Sequence, residues 1–335
     1  MPTSWKIAVL GANGHTGRFV VAELQKRGLV PIMIGRDREK LTALAREAGD
    51  APWRVADYAD SHSLDEAVAG AAMIVNCAGP FFDTAEPAIA SALRRKIHYL
   101  DVTAEQITAL NSFHRHHHDA VRADIAIVPA MAFYGGLADL MATAAMGDWP
   151  SAERLTVAIA LDLWHPTQGT RQTGARNTGQ RYWLKEGRLD FLPDAPPEVF
   201  WEFAEPFGRQ EMAHVPLSEV ITVSRHLDLR EIISLMNLAP LRDLGNPQTP
   251  PPAAVDASGR SSQRFAVEVK LERGSDSRTM SIAGRDIYAT SAVLVAEAAL
   301  WLCEGRVLER GTLAPGYAFS AAKFLAATLN READE

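Results

Sequence analysis

Through the first 130 residues, short apolar runs alternate with stretches whose apolar residues recur at helical spacing. Ile7–Leu10 is such a run, of the kind buried on both faces of a parallel sheet. Val20, Val21 and Leu24 follow it at the spacing of one helix face. Val30–Ile34, Trp53–Ala56, Met73–Cys77, His98–Leu100 and Ile125–Val128 repeat the strand pattern. Between them helices are predicted through Leu41 and Leu44, over Leu64–Ala69, over Glu86–Arg95, and up to Asp119. Strand and helix in strict alternation predict an α/β fold with a doubly wound parallel sheet.

After residue 130 the rhythm changes. Pro129–Leu137 reads as a loop entering a helix, and Arg154–Leu161 alternates like a strand. Arg181–Leu192 reads as two strands joined near Lys185–Arg188, with further strands at Val199–Phe203, Val220–Val223 and Glu231–Leu235. Phe265–Leu271 and Thr279–Ile282 bracket a polar turn over Glu272–Ser277 and predict a hairpin. Gln248–Ser262, rich in Pro, Ala, Gly and Ser, predicts a long mobile loop and a candidate lid. Helices are expected at Tyr288–Leu302 and Ala321–Leu329. The division predicted is a Rossmann domain over 1–130, an α+β domain on a mixed, antiparallel-rich sheet over 131–285, and helices over 286–335 returning to the first domain.

The chemistry concentrates where the first strand meets the first helix. Gly11, Gly14 and Gly17 punctuate that turn, with Asn13 and Thr16 between them. Such glycines allow a tight turn, close approach of backbone to a pyrophosphate, and close packing of helix on strand. The helix N-terminus adds unpaired N–H groups and partial positive charge, so the turn predicts a dinucleotide. At the end of the second strand an NAD enzyme usually carries an acidic residue for the ribose hydroxyls, but here Gly35 is followed by Arg36. A guanidinium there predicts the 2′-phosphate of NADP, so NADPH is expected and NAD less so. Asp37 is read as the cap of the next helix. Asp57 reads equally as an acceptor for the adenine amino group or as a turn former. Gly79, Pro80, Asp101 and Thr103 follow the fourth and fifth strands and are candidate cofactor neighbours, although Thr103 with Gln106 also forms a capping-box pattern.

Hydride chemistry belongs to the nicotinamide, and the protein must place the substrate and move a proton. Tyr134 and Asp139 are the candidate catalytic residues, with Tyr134 as proton donor or carbonyl polariser. Candidate substrate-binding residues are Tyr99, His165, Arg171, Arg176 and Tyr182; the arginines suit a carboxylate or phosphate, so an anionic small molecule is expected. His114 and His118 share a helix face, but no acidic partner accompanies them and no metal is expected.

Composition bounds the rest. The 335 residues are 47% hydrophobic and 22% charged with a net charge of −7, which gives no support for nucleic-acid or anionic-membrane partners. Cys77 and Cys303 are the only cysteines and read as buried thiols of a reducing compartment. Residues 1–6 lead into the first strand without an apolar leader, so a cytoplasmic protein is expected. The short-chain dehydrogenase motif Tyr-x-x-x-Lys is absent, since Tyr182 and Lys185 stand one residue too close. A non-catalytic NADP-binding redox sensor of that type is the competing reading, and no Gly-x-Ser-x-Gly elbow supports a serine hydrolase.

The segments GANGHTG, GRDREKL, NCAGPF, HYLDVTAE, AFYGGLADL, GRDIYATSAVLVAEA and APGYAFSAAKFLAA together resemble the saccharopine dehydrogenase-like oxidoreductases over nearly the whole chain. The resemblance implies a Rossmann domain, a second domain that shapes the substrate pocket and often a dimer interface, and NAD(P)-linked hydride transfer. It implies reduction of a C=N, C=C or C=O bond of a small metabolite, and a homodimer. Saccharopine-forming members carry Gly-Leu/Phe-Asp-Pro-Gly after the sixth strand, where this chain has Ala132, Phe133, Tyr134, Gly135 and Gly136. Tyrosine thus replaces an aspartate that could face an amino group, which argues against an amino-acid substrate.

Overall fold

The computed structural model describes residues 5–193 and 198–333. Met1–Ser4, on which part of the expectation about the chain's start rested, lie outside the described residues. The first half runs β1 (Lys6–Leu10), α1 (His15–Lys26), β2 (Val30–Gly35), α2 (Arg38–Glu47), β3 (Trp53–Val55), α3 (Ser61–Ala67), β4 (Met73–Asn76), α4 (Phe81–Arg95), β5 (His98–Asp101), α5 (Gln106–Ala123) and β6 (Ala126–Val128). A π-helical turn over Phe133–Leu137 then leads into α6 (Ala138–Met146). The second half continues with β7 (Ala152–Leu161), α7 (Gln168–Arg176), β8 (Tyr182–Lys185), β9 (Arg188–Phe191), β10 (Val199–Glu202), β11 (Arg209–His214), α8 (Ser218–Val223), β12 (Leu229–Asn237) and α9 (Leu238–Gly245). It closes with β13 (Arg264–Arg273), β14 (Asp276–Arg285), α10 (Ile287–Cys303), β15 (Gly311–Thr312), α11 (Pro315–Ala318) and α12 (Ala321–Ala333).

The first sheet has seven parallel strands in the order β15-β6-β5-β4-β1-β2-β3. The chain leaves β1 toward β2 and β3, then crosses back to place β4 on its other side. That reversal opens a crevice at the carboxyl ends of β1 and β4, the place where doubly wound sheets bind ligands. Ile7, Ala8, Val9 and Leu10 are fully buried, as their unbroken apolar run requires. Asp37 caps α2 as expected, its Oδ1 accepting from the Lys40 N–H at 3.1 Å.

The second sheet joins β10-β11-β12-β7-β13-β14, with β8 on β12 and β9 on β8. It is mixed, since β12 and β7 run parallel while β13 pairs antiparallel with both neighbours. Leu155, Val157, Ile159 and Leu161 of β7 project into the main core, which also holds residues of α6 and α10, while Ala158 and Ala160 face a smaller cluster with Phe203 and Met212. Helix α10 is buried almost all round, which explains its lack of an amphipathic stripe. Among the described residues no helix is long and apolar enough to cross a membrane.

Several sequence expectations fail locally. Val220–Val223 is no strand but part of α8, whose six residues are all buried. A short apolar run carries no periodicity by which helix and strand differ. Strand β11 went unread because its residues are mostly polar. Helix α5 begins at Gln106 with Glu105 as its cap residue, so Thr103 and Gln106 form no capping box. Instead the Thr103 hydroxyl accepts from the Glu105 N–H at 3.0 Å. The 248–262 stretch carries no regular element, as expected, but it is held in place. Thr249 donates to the Asp243 carbonyl (2.7 Å), Ser261 N–H to Asp286 (2.7 Å), and Arg285 pairs with Asp256 (2.6 Å).

Candidate functional site

The glycine turn is built as a cradle. Gly11 has φ +71°, and a Cβ there would lie 2.9 Å from the Ala78 backbone after β4. A Cβ at Gly17 would lie 2.2 Å from the Gly11 carbonyl oxygen, so α1 could not sit this close to its own entry turn. Gly14 is the cap residue of α1 and offers no side chain to the helix's first N–H groups. Those groups and the helix dipole are left to a ligand phosphate. The residues present therefore fit a dinucleotide pyrophosphate.

At the edge of the cradle, Gly35 ends β2 and Arg36 follows it, exposed. Asn13 lies over Gly35, its Oδ1 only 3.0 Å from where a Cβ would stand. The Tyr58 hydroxyl accepts from the Gly11 N–H at 3.0 Å. Burial pushes this phenol up to about 12, against the opposing influence of that N–H and of the Arg36 cation. Tyr58 was not singled out from sequence; its signal was its place just after the third strand. Asp57 forms a turn, its Oδ1 accepting from the Ala59 N–H at 3.0 Å, which favours the turn-former reading.

Three residues in and just after β5 face inward. Asp101 is fully buried and accepts from the N–H groups of Ala130 (2.8 Å) and Thr103 (3.0 Å) and from the Tyr99 hydroxyl (3.0 Å). Burial pushes its carboxyl up to about 6. Thr103 and Tyr99 are buried with it, and Tyr99 also receives a bond from Asn76. The expected cofactor roles of Asp101 and Thr103, and the substrate role of Tyr99, thus give way to a structural one. They tie β4, β5 and the loop after β6 together. Gly79 and Pro80 do stand at the crevice, with α7 close above them: a Cβ at Gly79 would lie 3.2 Å from the Thr173 hydroxyl.

The far wall comes from the second half of the chain. His15, on the first turn of α1, packs edge-on against Tyr288 at the start of α10, ring centroids 5.1 Å apart. The Tyr288 hydroxyl accepts from Trp164 Nε1 (3.0 Å) and shares a hydrogen bond with Thr170 (2.9 Å). Tyr134 packs beside Trp164 with centroids 5.6 Å apart. Its hydroxyl is buried without a hydrogen-bond partner. Burial holds that phenol well above its ordinary value, and the nearby Tyr288 and Glu219 add to the effect. Glu219 of α8 is 1% exposed, and burial raises its carboxyl as well. Neither His15, Tyr288 nor Glu219 was legible as a site residue, because each reaches the site through long-range packing.

The other expected residues lie elsewhere or are otherwise engaged. Asp139 is fully buried and accepts from His226 Nε2 at 2.7 Å, holding α6 to the turn that follows α8; a Cβ at Gly316 would lie 2.5 Å from it. Its Oδ1 is thus engaged in packing, while its Oδ2 is buried without a hydrogen-bond partner. Arg171 donates to the carbonyls of Asn246 and Thr249, and Arg176 pairs with Asp83 of α4. The Arg176 fork is thus taken by Asp83, and Nη2 of Arg171 is taken by the two carbonyls. The ring of Tyr182 stacks on Phe191 at 4.8 Å, and its backbone pairs with the Gln106 side chain. His165 is half-buried beside Trp164. His114 contacts Arg225, and no group of three or more His, Cys, Asp or Glu gathers among the described residues.

The chain is similar to known proteins, most of all over its first half. Residues 7–128 match the family model of the saccharopine dehydrogenase NADP binding domain. Saccharopine dehydrogenase-like oxidoreductase of Homo sapiens is 28% identical over 153 residues, 40% of this chain and 35% of the relative. That of Bos taurus is 26% identical over 152 residues, again 40% and 35%. A trans-acting enoyl reductase of Mycobacterium leprae is 30% identical over 141 residues, 40% of this chain and 34% of its own. These matches span about a third of the relatives' length. Among solved structures, apo saccharopine dehydrogenase (L-Glu forming) of Saccharomyces cerevisiae superposes with a TM-score of 0.70, covering 98% of both chains at 12% identity, a likeness of fold.

Proposed function

We propose that the protein, whose residues 7–128 match the family model of the saccharopine dehydrogenase NADP binding domain, is an NADP-dependent reductase. Its substrate is a small molecule with a C=N, C=C or C=O bond, held between the glycine turn and the wall of Tyr134, Trp164 and Tyr288. In this reading Gly11, Gly14 and the first turn of α1 hold the pyrophosphate, and Arg36 with Asn13 holds the 2′-phosphate. When bound, NADPH supplies hydride to the substrate carbon. The protein then has to deliver one proton to the substrate, and the Tyr134 hydroxyl carries that role.

The observation that carries the proposal is the Tyr134 hydroxyl itself, buried, without a partner, and set beside the Trp164–Tyr288 wall that packs on His15 of the glycine turn. A buried donor left unbonded costs stability, which a substrate acceptor restores. Its raised pKa keeps the proton on the oxygen until a basic product oxygen, nitrogen or carbon develops.

The test is calorimetric titration with NADPH and NADH, followed by a screen of imines, enones and ketones for loss of nicotinamide absorbance. Tight NADPH binding with turnover is expected. Binding without turnover in any class would favour the redox-sensor reading. The same proposal keeps the expectation of a cytoplasmic homodimer, and light scattering of the purified protein checks the dimer.

A further inference from the structure

We propose that residues 172–180, the second half of α7 and the loop behind it, are a gate across the crevice, latched shut by the ion pair of Arg176 with Asp83. This rests on the oxidoreductase reading above and assigns what controls entry and release of the dinucleotide.

The gate lies between two anchors. On the near side Thr167 caps α7, its hydroxyl accepting from the Thr170 N–H at 3.0 Å, and the Thr170 hydroxyl shares a hydrogen bond with Tyr288 at 2.9 Å. Trp164, buried just before the cap, donates its backbone N–H to Asp243 at 2.8 Å, and Arg171 Nη2 donates to the Thr249 carbonyl at 2.8 Å. On the far side the Gln106 side chain pairs with the backbone N–H and carbonyl of Tyr182 at 2.7 and 2.8 Å. Arg181 Nη1 adds a bond to the Pro216 carbonyl at 3.0 Å.

Between these anchors the chain is lightly held. Helix α7 buries none of its 9 residues. A Cβ at Gly174 or Gly179 would meet nothing within 4 Å. So short a helix, with glycine at Gly169 and Gly174, has too little propensity to stand alone, and its order depends on what it rests on. Its second half rests on the first domain at the turn after β4. The Thr173 hydroxyl lies 3.2 Å from where a Cβ at Gly79 would stand, and Arg176 Nη2 donates to Asp83 Oδ1 at 3.0 Å while Nη1 reaches Oδ2. That turn is the carboxyl end of β4, where the reversal of strand order opens the crevice. Helix α7 therefore reaches from Tyr288 on one side of the crevice to Gly79 and Asp83 on the other. The two side chains of the latch are 51% and 52% exposed, and an ion pair so open to water holds weakly. The segment can lift without uncovering any apolar core, which is the character of an element that gates a ligand site.

The experiment follows NADPH association and release by stopped-flow fluorescence in the wild type, Asp83→Asn, Arg176→Gln and the double variant. Each single variant is expected to raise both rates by about threefold to fivefold and to keep Kd within about twofold, because the gate shuts over the empty and the filled crevice alike. The double variant should match the singles, since either change alone opens the latch. A bulk charge effect on the anionic nucleotide would move association in opposite directions in the two singles, and loss of a binding contact would raise release alone. Either result overturns the gate, as do unchanged rates. Should the wild type bind no NADPH, the oxidoreductase reading fails, and hydrogen exchange then decides the latch. Backbone amides of residues 172–177 are expected to exchange about threefold to fivefold faster in Asp83→Asn than in the wild type, and equal exchange overturns it.

Discussion

A single methyl group at residue 17 separates this turn from a non-binding one. In Gly17→Ala the new Cβ would meet the Gly11 carbonyl at 2.2 Å, and neither partner is a flexible side chain. We expect a loss of about 1–3 kcal/mol in urea unfolding, the usual range for overpacking, together with weakened NADPH binding. Arg36 tests recognition instead of packing. Arg36→Ala should weaken NADPH by about tenfold or more while leaving NADH nearly unchanged, because a phosphate contact is lost that NADH never made. Equal losses for both nucleotides would remove Arg36 from the 2′-phosphate site. Tyr134→Phe keeps the ring against Trp164 and removes the hydroxyl, so turnover should fall by about a hundredfold with cofactor affinity unchanged.

His98 gives a pH test at the same scale. Its Nδ1 accepts from the Ala126 N–H at 2.9 Å, and burial pushes its pKa down to about 4 from 6.5. The folded state therefore binds this proton more weakly than the unfolded chain. Stability from this residue is fully present above pH 6.5 and is lost as pH falls toward 4. The loss attributable to it should be about 2 kcal/mol or more. Urea unfolding across that window should show a flatter profile for His98→Gln than for the wild type.

At the scale of elements, the pairing of α1 with α10 ties the nucleotide cradle to the second half of the chain. Arg27, with its side chain 2% exposed, pairs with Glu23 at 2.5 Å and with Glu297 at 3.1 Å, and Glu297 also accepts from Trp301 Nε1 at 2.8 Å. Removing Arg27 takes away the guanidinium that both carboxylates share and leaves Glu23 with Lys26 at 2.9 Å. Arg27→Met should cost about 3–5 kcal/mol, measured by urea unfolding. Sequence showed both helices but not their contact, because the glycine periodicity of α1 is local and the partner lies some 270 positions away. Helix α8 shows the opposite failure. Its run Val220–Val223 was readable as buried, yet burial on every side removes the alternation that separates a strand from a helix turn.

For the molecule as a whole, the last third of the chain closes the structure. Strand β15 pairs with β6 at the edge of the first sheet, and α10 packs on α1 while contributing Tyr288 to the candidate site. Thermal unfolding should therefore proceed in one transition. NADPH at about a hundred times its Kd adds about 2.7 kcal/mol and should raise that transition by about 4 °C. Two transitions, with only one moved by NADPH, would show that the two sheets unfold independently.

The sequence by itself determined the alternating strands and helices of the first sheet, the glycine turn, the cap at Asp37 and the cationic residue at the end of β2. All of these are local: they depend on spacing, on backbone freedom or on a neighbour within a few residues. It also brought out Tyr134, through the loop that follows β6. Only the tertiary structure decided which polar groups are satisfied. Asp101 and Tyr99 are polar residues beside the site in sequence, but packing turns them inward onto N–H groups and onto each other. Tyr134 is left by the same packing with its hydroxyl unmet. Burial is a property of everything that packs on a residue, and most of what packs on these comes from distant parts of the chain.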